Sequence, residues 1–585
     1  MQKITKLISN YFNVWTSAEN IKKSSRGRIS ANNQNVYGVQ KLKELVLDLA
    51  ISGKLTSRNT EDNKKNSIIE DIDKEIKSLN KKGFLKKQKL LSSVNEDEKL
   101  FELPKNWEWI RLGNTGNIFN GNSINKNLKE DKYTNNKGRP FIATKDVGYG
   151  FSKLNYENGV TIPLNEEKFK IAHKNAILIC SEGGSAGKKM GITEHDICFG
   201  NKLFANETYS VINPKYILCV YQSKIFYNLF SDRIKGIIGG ISRNEFLKIP
   251  IPIPPIKDQD KIVNKVNELM LICDKLEQQH LNCEQVQKKL TSILLKNLCD
   301  TDNHENFKKN WQLFIKYFDN LFVNEENIDE IKKTILQLAI SGKIVKQDPK
   351  EAPAADIIKK IELEKSKINL KKNEKSTFFK DDIKKFPLPN GWEFVSISDL
   401  TLLITDGTHF TPNYVKQGIP FISIKDIDGE NISFEDCKYI SEKEHEKLNE
   451  RCNPEVGDIL ICRIGTLGRA TIVKTKIPFS LFVSVGLLKL PKSIDLTNYL
   501  HMALSSPLLH SQFDKIKAGG IHTNKLNLGD IPKLYIPLPP IKEQERIMNK
   551  LNELITLCDQ IKFKIHESNI KKKLIAEALV SQVLN

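Results

Sequence analysis

The sequence is poor in the features that mark most chemistries. Purely apolar runs stay about as short as Ala176–Cys180, far below the ~20 residues a membrane-crossing helix needs, so no membrane is expected among its partners. The opening stretch, MQKITKLISNYFNVW, lacks the apolar core and small-residue cleavage site of an export signal, and a cytoplasmic protein is expected. Ten cysteines include no C-x-x-C pair, and Cys180, Cys219, Cys462 and Cys558 sit inside apolar runs. That pattern predicts reduced, buried thiols rather than a zinc site or a disulfide framework. The ten histidines show no ligand spacing, so no metal is expected. Acid is scarce relative to base: 90 Lys and Arg face 71 Asp and Glu, a net charge of +19. Such an excess suits a polyanionic partner, although a chain rich in Lys, Asn and Ile throughout could carry it without one. No dense basic tail is present, so a basic surface has to be assembled by folding.

Catalytic motifs are missing as well. SEGGSAGKK at 181–189 resembles a phosphate-cradling loop, but G-x-x-x-x-G-K-[ST] requires glycine where Glu182 stands and a hydroxyl residue where Lys189 stands. Asn213-Pro214-Lys215-Tyr216 approaches the N-P-P-Y of an adenine methyltransferase without its second proline, and no glycine-rich cofactor loop precedes it at sensible spacing. It reads as a helix N-terminus. H-E-x-x-H does not occur. No catalytic residue is assigned.

What is present is a duplication. LAISGK occurs at 49–54 and again at 338–343; LPKNWEW at 103–109 matches LPNGWEF at 388–394; GRPFIATKDV at 138–147 matches GIPFISIKDI at 418–427; NAILIC at 175–180 matches GDILIC at 457–462. Finally, IPIPPIKDQDKIVNKVNELMLICDKL at 251–276 matches IPLPPIKEQERIMNKLNELITLCDQI at 536–561. Order is kept, so one unit of nearly 300 residues is written twice, with pseudo-twofold symmetry as the expectation. Residues 301–325 find no good match in the first 37 residues, which are set aside as an N-terminal extension.

Within each copy the pattern alternates. Val39, Leu42, Val46 and Leu49 share one helical face, and Gly53 stands where a helix stops; Ile328, Ile331, Ile335, Leu338 and Gly342 repeat this. Lys/Glu-rich segments follow. Residues 101–255 and 386–540 then show short strand-length runs punctuated by Gly, Asn and Asp, predicting two α+β domains. A proline pair ends each domain and launches a helix. Along it Ile262, Val266, Leu269, Cys273 and Leu276, and in the second copy Ile547, Leu551, Leu554, Cys558 and Ile561, fall at heptad spacing. Two identical seams favour pairing with each other over packing on their own domains.

The IPxPPIK[DE]Q[DE]xI run leading into a long helix, the LPxxW domain start and the duplicated layout resemble the specificity subunit of type I restriction–modification systems, over roughly residues 38–585. That resemblance implies an α+β fold class: two target recognition domains of mixed α/β structure with small β-sheets, separated and joined by long helices forming an antiparallel coiled coil. Domains would then run 38–100 (helical), 101–255 (recognition), 256–385 (central helical), 386–540 (recognition) and 541–585 (C-terminal helix). It further implies a bipartite double-stranded DNA target, each domain reading one half. Two modification (methyltransferase) subunits dock on the helices, and restriction (motor and nuclease) subunits can join. The chain itself would hold no cofactor: S-adenosylmethionine belongs to the methyltransferase, ATP and Mg to the restriction subunit.

Bases are read by polar side chains on rigidly held loops, while phosphate contacts position the protein. Four matched loops fit that role. They hold Asn122 against His409; Lys145 against Lys425; Ser181, Ser185 and Lys188 against Arg463, Thr466 and Arg469; and Arg243 and Asn244 against His522, Asn524 and Lys525. The loop frames agree and their tips differ, as two readers of different half-sites require. Trp107 and Trp392 are assigned to domain cores. Two other readings stay open: the specificity component of a type II-like (fused or two-subunit) enzyme, and a coiled-coil scaffold with no role on DNA.

Overall fold

The computed structural model describes residues 10–18, 36–56, 67–83, 89–125, 129, 131–134, 137–236, 239–301, 304–368, 387–519 and 524–584. The chain forms two compact units, residues 1–284 with 568–585, and residues 285–567. Each is built on the same plan.

Unit 1 opens with α1 (Phe12–Ser17), α2 (Tyr37–Ile51) and α3 (Ile68–Lys81). Helix α2 ends at Gly53, whose φ of 70° lets the Lys54 amide reach back 3.0 Å to the Leu49 carbonyl. A side chain there would strike Pro104, so the LAISG stop and the LPxxW start, far apart in sequence, are two sides of one contact. Gly342 (φ 69°) meets Pro389 in the second unit in the same way.

The recognition domain of unit 1 contains β1 (Glu108–Arg111), β2 (Gly116–Asn120), β3 (Arg139–Ile142), β4 (Thr161–Ile162), β5 (Ile171–Ala172), β6 (Ile177–Cys180), β7 (Met190–Ile192), β8 (Ile197–Phe199), β9 (Leu203–Thr208) and β10 (Pro250–Ile253). Helices α4 (Pro214–Gln222), α5 (Lys224–Ser231) and α6 (Arg243–Leu247) interrupt them before α7 (Ile256–Cys299). Two four-stranded sheets, ordered β2-β9-β6-β7 and β4-β3-β8-β5, enclose one core. Strands β1 and β10, the first and last of the domain, close it as an antiparallel ribbon.

Unit 2 repeats this with α8 (His304–Lys316), α9 (Phe318–Leu321), α10 (Glu325–Ile340) and α11 (Ala354–Lys367) ahead of its recognition domain. There the strands are β11 (Glu393–Ser396), β12 (Leu403–Asp406), β13 (Tyr414–Val415), β14 (Ile419–Ile422), β15 (Lys438–Ile440), β16 (Ile459–Cys462), β17 (Ala470–Ile472), β18 (Ser480–Leu481), β19 (Val485–Lys489) and β20 (Tyr535–Leu538). Sheet β12-β19-β16-β17 and ribbon β11–β20 copy unit 1. The other sheet, β13-β15-β14-β18, keeps the parallel pair (β3 with β8, β14 with β18) but changes the strands around it, leaving β18 at an edge. Where β5 borders β8, the helix α13 (Glu442–Asn449) packs against β18 instead; α12 (Ile397–Leu400) precedes it, and α14 (Thr497–Leu504), α15 (Pro507–Ile516) and α16 (Ile541–Leu584) follow.

The residue pairs shared by the copies have visible duties. Asn213 caps α4, accepting the Lys215 amide at 2.8 Å, so the N-P-K-Y run is the expected helix start. Its tyrosine persists in the twin because Tyr216 and Tyr499 donate to the Pro252 and Pro537 carbonyls at 2.9 and 2.7 Å, each locking a helix to the closing ribbon. In PPIKDQ and PPIKEQ the glutamines Gln259 and Gln544 donate to the Pro254 and Pro539 carbonyls at 2.8 and 2.9 Å, which fixes the strand-to-helix corner. Trp392 is buried and donates 3.0 Å to Glu543, while Trp107 packs partly buried on its core. Eight of the ten cysteines are buried and all are free thiols. Burial pushes the Cys180 and Cys219 thiols up to about 11 and 12, so they are inert packing.

Two expectations need correction. The N-terminal extension is not foreign to the second copy: Trp15 of α1 and Leu321 of α9, each following a Tyr-Phe pair, are both fully buried in their own units. Helix α1 packs on the start of α2, and Leu321 shares a core with Ile328 and Ile331 of α10. The match was hidden because 18–36 separates α1 from α2, whereas only three residues separate α9 from α10. The heptad seams are covered by more than the partner helix. Ile262, Val266 and Leu269 pack with Leu45, Val46 and Leu49 of α2, and Cys273 and Leu276 with Val39 and Leu42. Ile547, Leu551, Leu554, Cys558 and Ile561 join the core of α10. The seams do not meet each other, yet α7 and α16 do pack together: Cys273 and Leu276 share a core with Ala576 and Leu579 of α16, and Leu294, Leu295 and Leu298 of α7 share one with Leu551 and Cys558, so the expected antiparallel pairing of the two helices stands. The far ends of α7 and α16 do the linking: residues 285–299 belong to unit 2, and 568–584 to unit 1, where Ala576 and Leu579 pack beside Trp15. At 44 residues each, the two helices run about 66 Å.

Candidate nucleic-acid interface

The strand directions bring the candidate loops together. In unit 1, β2 and β6 both run antiparallel to β9, so their C-termini lie together at the start of β9. The parallel pair β3–β8 delivers its own C-termini beside them, through the Asn122 amide, just past β2, bonded 2.9 Å to the Phe199 carbonyl at the end of β8. The loop after β6 is the hub. Its Gly183 amide reaches Gly239 at 2.7 Å, and its Ser181 carbonyl accepts from Ile241 at 3.0 Å, pairing it with the Arg243 loop. Lys189 donates 3.3 Å to the Thr144 carbonyl in the Lys145 loop. Arg243 spends its Nε on the Ile118 carbonyl of β2 at 2.7 Å.

Unit 2 draws its loops together by related contacts. Leu526 pairs with the Arg463 carbonyl at 2.8 Å, and Arg469 reaches the Ile427 carbonyl at 3.3 Å. The hub loop in both units joins two antiparallel strands and is not followed by a helix, so SEGGSAGKK lacks the strand-to-helix geometry of a phosphate loop. Its glycines serve packing. Gly187 and Gly468, at φ of 68° and 74°, lie against the rings of Phe230 and Phe513 with no room for a side chain.

Of the candidates, Lys145, Lys188, Arg243 and Asn244 are exposed in unit 1, with Ser185 half-buried. In unit 2, His409, Lys425, Thr466, Asn524 and Lys525 are exposed and Arg469 is half-buried, one Nη on Thr466 at 3.2 Å. His522 lies outside the described residues. Three candidates are structural instead. Ser181 is buried. Asn122 uses both ends of its amide on the backbone of 168–170, at 3.1 and 2.9 Å. Arg463 is 3 % exposed, pinned by ion pairing to Asp406 and by the Val483 and Leu526 carbonyls at 3.1 and 3.2 Å. An exposed arginine cannot be told from a buried one by its neighbours in sequence when its carboxylate partner lies on another strand.

Sequence reasoning also missed two cations. Lys170, exposed beside β5, donates 3.0 Å to the Asn120 carbonyl at the end of β2. Arg451, just past α13, pairs with Asp406 at the end of β12. They occupy corresponding places but arise from different local structures, a strand and a helix, so no shared motif marks them.

Among the described residues no group of His, Cys, Asp and Glu could hold a metal ion, and no helix is long and apolar enough to cross a membrane. Residues 104–284 and 389–568 each match the family model of the type I restriction modification DNA specificity domain. Over the full length of both chains, the sequence is 30 % identical to the specificity subunit of the Escherichia coli type I restriction enzyme EcoEI and 29 % identical to that of EcoAI. Among solved structures, the HsdS subunit of Thermoanaerobacter tengcongensis matches at a TM-score of 0.39 and 14 % identity, covering 83 % of this chain and 98 % of that one.

Proposed function

The chain belongs to the type I restriction–modification DNA specificity family, and on that premise we propose that it is the DNA sequence-specificity subunit of a type I restriction–modification complex. Its two recognition domains each read one half of a bipartite double-stranded target. The observation that carries this is the pair of loop clusters: one strand frame, built twice, presents different exposed side chains at corresponding positions. The unit 1 cluster offers Lys145, Lys188, Arg243 and Asn244; the unit 2 cluster offers His409, Lys425, Thr466, Asn524 and Lys525.

Phosphate contacts by the lysines set the register, and the forked or amide side chains address base edges in the major groove. The half-sites are separated by about one helical turn, ~34 Å. Helices α7 and α16 provide the docking surface for two methyltransferase subunits, and for restriction subunits where the host makes them. Those partners bring S-adenosylmethionine, ATP and Mg, flip an adenine in each half-site and methylate it, or cleave. This chain does no chemistry of its own and works in the cytoplasm. Methylome sequencing of a host expressing the chain with its methyltransferase tests the reading: a methylated motif of two short blocks around a fixed unspecified gap is expected, and a continuous motif would contradict it.

A further inference from the structure

Asp406 is 1 % exposed, yet two guanidinium groups and an imidazole converge on its carboxylate. Arg463 pairs with it from below and is itself buried. Arg451 and His409 (Nε2 to Oδ2, 3.0 Å) pair with it from the surface side, and their side chains remain 55 and 62 % exposed. One buried negative charge thus faces two permanent positive charges and a histidine, so the Asp406 carboxylate does not by itself neutralise the guanidinium groups paired with it. Arg451 has only its Nη2 committed to Asp406; among the described residues its Nη1 and Nε make no hydrogen bond. The segment that carries it is anchored: within α13, His445 is buried against the Ser480 hydroxyl at 2.8 Å, Asn449 reaches His445 at 3.0 Å, and Cys452 is buried next door. A guanidinium held on one edge by a buried carboxylate presents its remaining donors in a fixed plane, the arrangement that bidentate base recognition needs.

Unit 1 builds the same place without charge pairing. Asn120 stands at the end of β2 where Asp406 ends β12, Ser181 follows β6 where Arg463 follows β16, and the surface cation is Lys170 on a backbone carbonyl. A flexible ammonium on a neutral support is a point charge with no fixed fork.

We propose that Arg451, buttressed by Asp406, is a specificity-determining residue of the second recognition domain that reads the O6/N7 edge of a guanine, and that Lys170 at the corresponding place in the first domain contacts phosphate without sequence preference. The assignment rests on the DNA-reading function proposed above and adds to it the base and the residue. The test is selection from a pool of duplex DNA with randomised positions by the full chain with co-expressed methyltransferase subunits. For Arg451→Ala, discrimination at a single guanine of one half-site should fall about tenfold or more. Arg451→Lys should lose that discrimination as well, since it keeps the charge and not the fork, while retaining affinity for the pool as a whole. Lys170→Ala should weaken binding alike across sequences and leave both half-site preferences intact. Arg451→Lys selecting the same bases as the parent, or Arg451→Ala leaving every position unchanged, would overturn the assignment while the parent still selects a bipartite site. A parent that enriches no bipartite site would sink the DNA-reading function itself.

Discussion

The two recognition domains share a frame and differ in how they fill its most protected corner. In unit 1 the ends of β2 and β6 carry Asn120 and the buried hydroxyl of Ser181. In unit 2 the ends of β12 and β16 carry Asp406 and Arg463, both buried and paired. The sheets, the glycine hub and the ribbon tolerate either solution, so the chemistry at the reading surface can change without redesign of the scaffold. A charged corner, however, makes one domain depend on a complete ion network where the other does not.

Breaking that network should give the largest difference between the halves. Arg463→Ala leaves Asp406 buried without its inner partner and should destabilise unit 2 by about 3–5 kcal/mol, whereas Ser181→Ala should cost unit 1 under ~1 kcal/mol. Hydrogen exchange resolved along the chain would separate the two, and equal losses would remove the contrast. The next substitution should erase the difference. Gly187→Ala and Gly468→Ala each force a side chain into an aromatic ring at positive φ, and each should cost its own domain about 2–3 kcal/mol, read as matched losses of protection in the two hub loops.

A third contrast is in pH. Burial raises Asp48 of α2 to about 6, even though the Ile225 amide donates to it at 3.3 Å; α10 carries Gln337 at the matching place. A carboxyl whose folded value is raised binds more protons in the native state. Stability of unit 1 should therefore fall as pH rises from about 4 through about 6, by on the order of 1–3 kcal/mol, and stay lower above. Asp48→Asn should abolish that slope and leave unit 2 untouched, as measured by the protection of α2 and α10 amides against pH. The smallest effect is expected at the lysines that both domains keep. Lys145→Ala and Lys425→Ala should each lower DNA affinity several-fold and reduce the salt slope by about one, with no change in sequence preference.

What the sequence disclosed and what it hid divide along physical lines. Contacts made once per copy by similar residues left a repeated trace: the Gly53–Pro104 and Gly342–Pro389 stops, the Tyr216 and Tyr499 locks, and the proline corners held by Gln259 and Gln544. Long-range electrostatics left none. Arg463 looked like a reader because Asp406 is 57 residues away in sequence, and Arg451 escaped notice because its counterpart Lys170 stands beside a strand rather than a helix. Heptad spacing showed a buried face on α7 and α16 but not which surface buries it, since the same 3,4 pattern serves a partner helix or a domain's own α2 or α10.

The central claim is that the two domains read separately. Replacing residues 386–540 with the corresponding domain of another specificity subunit, and sequencing the methylome of a host that expresses the chimaera with its methyltransferase, tests it most directly. One half of the bipartite motif should change while the other half is kept. A motif changed in both halves, or in neither, would contradict it.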